Sequence, residues 1–260
     1  MSLTVRYAGL TDPGRLRQAN EDNWTVDEEQ GLFIVADGMG GEFAGALASK
    51  VVVATLPELV RRDFAARDRL QNRTVGRRMG RTIAALSMQM REQTRNEPGM
   101  AGMGSTVVCA LVRGDRGIVA HMGDSRAYRL RAGRLKQLTT DHTLIQLLLH
   151  CGEITHEEVA THPAQGRLTR NVGMEGAPLP QTRLLKFRQG DLLMLCSDGL
   201  PNMLSDDQIV SLLNKPAPLN TLCRRLVDAA NGAGGKDNIT VLLLRLVEGE
   251  EENQIDERAT

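Results

Sequence analysis

Residues 106–134, TVVCALVRGDRGIVAHMGDSRAYRLRAGR, hold three short runs dense in apolar and β-branched side chains, at 106–112, 117–122 and 126–130. Each is too short for a stable helix and reads as a strand. The connectors Arg113-Gly-Asp-Arg116 and Arg131-Ala-Gly-Arg134 are of hairpin length, so neighbouring strands here pair antiparallel. Parallel neighbours would need crossovers of a dozen or more residues, which argues against a Rossmann-like sheet.

Outward from this stretch, similar runs occur at 4–10, 32–37, 192–196 and 239–246. Helical periodicity covers 45–62, where Leu47, Val51, Val52, Leu56 and Leu59 form one face, and about 68–96, where Gly76 and Gly80 interrupt it. Ser205-Asp-Asp-Gln208 is a capping box that opens a helix toward Leu213, and Asn220 is expected to cap another running to about Ala230. Helices thus fall in sequential pairs between groups of strands, the order expected of an α+β fold with helices on the outer faces of antiparallel sheets. The segment from Asp141 to Arg170 differs. Leu144, Leu147 and Leu148 begin a helix, Thr155-His-Glu-Glu158 reads as a second capping box, and Pro163 with Gly166 ends the short helix it opens. An inserted helical piece of this kind is a candidate lid. The tail from residue 248 is acidic and nearly free of apolar residues, and is expected to be disordered.

With 260 residues, 41% hydrophobic and 25% charged, one large domain suffices. Lys plus Arg equals Asp plus Glu at 32 each, so there is no surplus of positive charge for a phosphate backbone or an anionic lipid surface. Nucleic acid is not an expected partner. Cys109, Cys151, Cys196 and Cys223 are scattered with no CxxC pair, which suggests a reducing, cytoplasmic setting without disulfides or zinc. The N-terminus shows no signal-peptide pattern, and no apolar run is read as long enough to cross a bilayer, so no membrane association is expected.

Four aspartates carry the chemistry. Asp37, Asp124, Asp198 and Asp237 sit in FIVADGMGG, VAHMGDSRAY, LLMLCSDGL and GGKDNITVLLL, each read as a turn beside a strand that aims its carboxylate at a common point. Like charges gathered within a few ångströms cannot all stay ionised without a cation. Carboxylate and carbonyl oxygens suit Mg²⁺ or Mn²⁺, and no histidine or thiolate set is present for zinc or copper. Two such cations ~3.5 to 4 Å apart lower the pKa of a water enough for in-line attack on phosphorus, the chemistry of phosphate-ester hydrolysis. Arg17, in RQANED, is the best cation to grip phosphoryl oxygens with paired donors.

Taken in order, TDPGRLRQANED, VADGMGG, GSTVVCALV, HMGDSRAY, LTTDHTL, RLTRNVG, GDLLMLCSDGL and GGKDNITVLLL resemble the bacterial metal-dependent protein serine/threonine phosphatases of type 2C. The resemblance runs over nearly the whole chain. It implies an α+β fold over 1–247, with a central β-sandwich of two antiparallel sheets flanked by helix pairs in four layers. A small helical flap at about 142–170 and an acidic tail at 248–260 complete the expected organisation. It also implies two Mn²⁺ or Mg²⁺ ions, with Asp37 bridging both, the Gly38 carbonyl on the second, and Asp198 and Asp237 on the first. Asp124 with Asp198 matches a third, weaker metal site. Glu21 and Asp22 match acids that orient metal-bound waters, Arg17 the phosphate-binding arginine, and Thr106 and Asn238 supports of the metal loops. Implied partners are phosphoproteins and a cognate Ser/Thr protein kinase, for a monomeric enzyme working through a hydroxide held between the two ions.

Met39 stands where many eukaryotic relatives carry a histidine proposed as general acid, and a thioether has no proton to give. Ala46 and Asn171-Val172 also depart from the usual residues, without consequence expected for catalysis. Each aspartate taken alone could be a turn former, and Arg17 an exposed ion-pair partner of Glu21. For His142 a structural, helix-capping role is favoured over proton donation. His121, His150, His156 and His162 show no ligand spacing, and Ser125 and Ser197 have no histidine partner that would make them nucleophiles. The rival functions are a phosphoprotein-binding module without turnover and a metal-dependent phosphodiesterase.

Overall fold

The computed structural model describes residues 3–249 except 41, 66, 67, 96, 98 and 101. Five strands form one antiparallel sheet in the order β1 (Leu3–Asp12), β11 (Ile239–Glu248), β10 (Leu192–Cys196), β7 (Arg126–Arg131), β8 (Arg134–Gln137). The other antiparallel sheet runs β2 (Asp22–Asp27), β3 (Leu32–Met39), β5 (Val107–Arg113), β6 (Arg116–Met122), β9 (Gln181–Lys186), with the short β4 (Gly104–Ser105) paired to the end of β3. Helices α1 (Glu42–Asp63) and α2 (Arg73–Thr94) pack on the second sheet; α4 (Asp206–Leu213) and α5 (Leu219–Gly232) pack on the first.

Side-chain alternation explains the four layers. Along β3, Leu32, Ile34 and Ala36 join Ala48, Val52 and Leu56 of α1 and Met79, Ile83 and Leu86 of α2. Phe33 and Val35 turn the other way and meet Leu193, Leu195, Leu242 and Leu244 of the facing sheet. Both faces of the central strands are covered, so their sequences are nearly continuous apolar runs rather than alternating ones. Behind the first sheet, Met194, Cys196, Val241 and Leu243 receive Ile209, Leu213, Leu222 and Leu226. Each fully buried Leu or Ile contributes ~1.5–3 kcal/mol relative to exposure, which fixes the sheets face to face.

Several sequence expectations change here. Strands β2, β8 and β9 were not among the expected runs; all three lie at sheet edges, where one side is solvated and the apolar signal is diluted. Gly76 and Gly80 do not break α2: a Cβ on Gly76 would lie 3.2 Å from Thr182 Oγ1, so the missing side chains let the helix lie close over β9. Pro218, not Asn220, precedes the first residue of α5, and the Asn220 carboxamide bonds the next backbone N–H instead. Thr155 and Glu158 do hydrogen-bond, but they close a turn before a single 3₁₀ turn at Val159–Thr161 rather than opening an α-helix.

The stretch Phe43–Asp63 is, contrary to expectation, long and apolar enough to span a bilayer by length and composition, and half of it is buried within the protein as the core face of α1. Strand β11 continues through Glu248, one residue beyond the expected domain end; residues 250–260 of the tail lie outside the described residues.

Candidate active site

Strand ends gather the acids. Asp37 lies within β3 itself rather than in a turn, directly opposite Asp22 of β2 in the strand register. Asp124 follows β6, Asp198 follows β10 and Asp237 precedes β11, so all five carboxylates meet at one end of the sandwich. A cleft of about 410 Å³ opens there, lined by Asp124, Asp198 and Asp237 together with Thr143, Ile145, Val159 and Gln165 of the expected flap.

Four of these carboxylates, Asp22, Asp37, Asp124 and Asp198, are pushed up by burial and by their neighbours' charges. Burial, then the charges of Asp22, Asp198, Asp124 and Asp237, pushes Asp37 well above the usual carboxylate range. Burial and the charge of Asp198 take Asp124 up to about 7. Burial and Asp237 take Asp198 up to about 6, although the Asn202 amide donates to it at 3.0 Å. Asp22 reaches about 7, again chiefly from burial, even though Ser197 Oγ and Thr240 Oγ1 each donate to its Oδ2 at 2.7 Å.

Backbone and hydroxyl contacts fix these positions. The Thr106 hydroxyl accepts from the Asp37 N–H at 3.1 Å and lies 2.6 Å from Ser125 Oγ, so one side chain links the Asp37 and Asp124 segments. A Cβ on Gly38 would collide with the Gly45 carbonyl, which explains why the residue after Asp37 has no side chain. Asn238 accepts from the Glu21 N–H at 2.8 Å while its amide donates to Pro13 and Ala19 carbonyls at 2.9 and 3.0 Å, pinning the loop that carries Arg17. Arg17 is half exposed and pairs with Asp237, Nη2 to Oδ2 at 2.8 Å. The hydroxyls of Ser125 and Ser197 are buried and committed to Thr106 and Asp22.

Part of the site was not anticipated. Asp141 takes the Arg126 guanidinium through Nε and Nη2, at 2.9 and 2.6 Å to Oδ2, and accepts from Gln137 at 3.0 Å. The next residue, His142, is not a helix cap; Thr143 caps α3 (Leu144–Cys151) instead. Its ring is buried, stacks on His121 with centroids 4.5 Å apart, and accepts the Gly123 N–H at Nδ1. Burial first, then His121 and Arg170, pushes its pKa down to about 3, so the ring is neutral. The LTTDHT segment held the only sequence signal, an acid and a histidine in succession.

The donors are oxygen throughout, they repel one another, and Asp22 Oδ1 is buried without a hydrogen-bond partner. That set suits hard divalent cations. Among the described residues, no three His, Cys, Asp or Glu side chains already close on a single point. Asp124, Asp198 and Asp237 instead line the cleft wall, with the Arg17 guanidinium drawn onto Asp237.

The family profile described as protein phosphatase 2C matches residues 15–243. The chain belongs to the protein phosphatase 2C family. A serine/threonine phosphatase of Listeria monocytogenes is 38% identical over 237 residues, covering 90% of this chain and 93% of that protein. The solved serine/threonine phosphatase of S. agalactiae superposes with a TM-score of 0.86 at 35% identity, over 94% of this chain and 100% of that one. The catalytic domain of the phosphatase PstP, solved in complex with two manganese ions, superposes with a TM-score of 0.80 at 35% identity, over 95% of this chain and 100% of that one. This protein phosphatase 2C is therefore a divalent-metal-dependent serine/threonine protein phosphatase whose substrates are phosphoproteins. Its two antiparallel sheets with flanking helix pairs are the fold its resemblance implied.

Proposed function

We propose that the phosphatase reaction takes place in the acidic cleft. Asp37, the Gly38 carbonyl, Asp198 and Asp237 would hold two Mn²⁺ or Mg²⁺ ions there, and Asp124 with Asp198 a third. The observation that carries the assignment is the gathering of carboxylates at one end of the sandwich, where burial and their neighbours' charges penalise the ionised forms unless protons or metal cations neutralise them. Bound there, such cations supply water activation at neutral pH and neutralise developing phosphoryl charge.

The chain's own groups do the rest. Arg17 already lies in the field of Asp237, Glu21 and Asp37. Turned from Asp237 toward substrate, its guanidinium presents paired donors to two phosphoryl oxygens and fixes the phosphorus over Asp37. Asp22, with Oδ2 occupied by two hydroxyls, keeps Oδ1 available to hold a water proton, and Glu21 joins it from the adjacent position. Met39 has no proton to donate, and His142 is neutral with Nδ1 committed to Gly123, so neither serves the leaving oxygen.

The family analogy further supports a cognate Ser/Thr protein kinase acting on shared targets, and a monomeric state. The four free cysteines suit a reducing, cytoplasmic location.

Hydrolysis of p-nitrophenyl phosphate and a phosphothreonine peptide, with and without Mn²⁺, tests the site in the parent and in Asp198→Asn. Metal-dependent turnover in the parent, lost in the variant, is expected. Equal turnover in the two proteins would remove Asp198 from the centre.

A further inference from the structure

A second cavity, about 530 Å³, has Met39 in its wall, two residues along β3 from Asp37. Its connection to the acidic site runs through backbone. Met39 pairs with Gly104 and Gly38 with Ser105. The Ser105 hydroxyl donates to the Asp37 carbonyl at 3.0 Å, and Ser105 exchanges both backbone hydrogen bonds with Val172. Asn171, next to Val172, also lines the cavity. Met39 is two residues from Asp37 on one strand, so this wall of the cavity lies about 7 Å along β3 from Asp37, the reach of about two residues of extended peptide.

The lining is matched to an anion. Arg91 and Arg95, in and just after the last turn of α2, both line it, four residues apart on one helix face. Neither side chain has an ion pair or hydrogen bond among the described residues, and like charges at this spacing repel. The helix dipole favours cations at a C-terminus, but it does not require both to line one cavity. Glu175 also contributes to the wall, which leaves the charged lining one positive unit in excess. Met39, Met100, Met103 and Met174 complete it with flexible, polarizable side chains that adapt to varied peptide shapes.

We propose that this cavity is a substrate subsite that receives an anionic side chain, an acidic residue or a second phosphorylated residue, close in sequence to the phosphoresidue being hydrolysed. The proposal rests on the phosphatase site described above and deepens it: Arg91 and Arg95 select among phosphoproteins, and the acidic cleft cleaves them.

The test is kcat/KM on phosphothreonine peptides in which one glutamate, one phosphoserine or one lysine is walked through the positions flanking the phosphoresidue, in a neutral background. At the best flanking position, the glutamate or phosphoserine peptide is expected to exceed the neutral one by about tenfold, the factor one charge-assisted hydrogen bond supplies. The glutamate and phosphoserine arms identify which anion is preferred. In Arg91→Ala/Arg95→Ala that ratio falls to about one, and in Arg91→Glu/Arg95→Glu it inverts in favour of the lysine peptide. The advantage also shrinks as ionic strength rises. No anionic preference in the parent, or a preference that survives both double variants, overturns the subsite. Failure of the parent to hydrolyse p-nitrophenyl phosphate, which has no flanking residues, would overturn the catalytic reading, and the subsite with it.

Discussion

The Gly123 backbone N–H donates to Nδ1 of His142 across 3.2 Å, while the His142 N–H donates to the Gly123 carbonyl at 3.0 Å. With the Arg126–Asp141 pair on the other side, this clamps the 123–126 turn that carries Asp124 to the base of the flap. His142 sits at that base, its carbonyl accepting from Thr169 at 2.8 Å. A contact between the flap and the acidic cleft is thus built into two successive residues.

Removing the acceptor leaves a buried N–H unpaired. His142→Leu is expected to cost about 1–3 kcal/mol, and His142→Asn, whose Oδ1 replaces Nδ1, distinctly less. Urea unfolding at pH 7 measures both; equal losses would show that the hydrogen bond contributes nothing. The native ring is held near pKa 3 against an ordinary 6.5, so the folded state binds fewer protons than the unfolded state between those values. Its contribution is therefore complete above pH 6.5 and is lost as pH falls toward 3. His142→Asn removes that acid-side slope.

Arg17 is half exposed, so its pair with Asp237 adds little to stability, under about 1 kcal/mol. Its effect is expected in binding. Arg17→Ala should raise KM for a phosphopeptide by roughly tenfold or more, with thermal stability nearly unchanged, since it deletes two charge-assisted donors. Arg17→Lys, with a point charge in place of a planar fork, should recover only part of it. A KM equal to the parent's would exclude Arg17 from the phosphate site.

What could be read from the chain divides along physical lines. Strands such as β5 and β10 were legible because both faces are buried, which makes the sequence apolar at every position. Edge strand β9 was not, because its first three residues, Gln181 to Arg183, are exposed. The four aspartates were legible through their glycine, serine and asparagine neighbours. The His142 clamp was not, since it depends on a contact nineteen residues back in the chain and on burial that no local pattern announces.

Gly38 is a steric requirement rather than a turn former. A Cβ there would overlap the Gly45 carbonyl at the start of α1, and backbone cannot yield as a flexible side chain can. Gly38→Ala is expected to destabilise the protein by about 1–3 kcal/mol or more and to weaken Mn²⁺ activation through displacement of Asp37. Thermal unfolding and Mn²⁺ titration of activity check the two effects; a variant that unfolds like the parent would show that α1 shifts freely.

Protons and metal ions compete for the same oxygens. Asp124 and Asp22 near 7 and Asp198 near 6, all raised from 3.8, keep more protons in the folded than in the unfolded state between pH 4 and 7. The sign follows directly. In the metal-free protein these groups make folding less favourable as pH rises through that window, and the folded state is left with uncompensated carboxylates at neutral pH. Mn²⁺ must displace those protons, so its affinity should climb steeply between pH 5.5 and 7.5, with proton release on binding. Thermal shifts with and without saturating Mn²⁺ across that range read this out, the gap widening toward neutral pH. Isothermal titration in buffers of different ionisation enthalpy counts the protons released. In Asp198→Asn, which removes one titrating ligand, fewer protons should be released and the pH dependence should be shallower. A metal-induced shift that stays constant from pH 5.5 to 7.5 would mean that the cations bind elsewhere than at these acids.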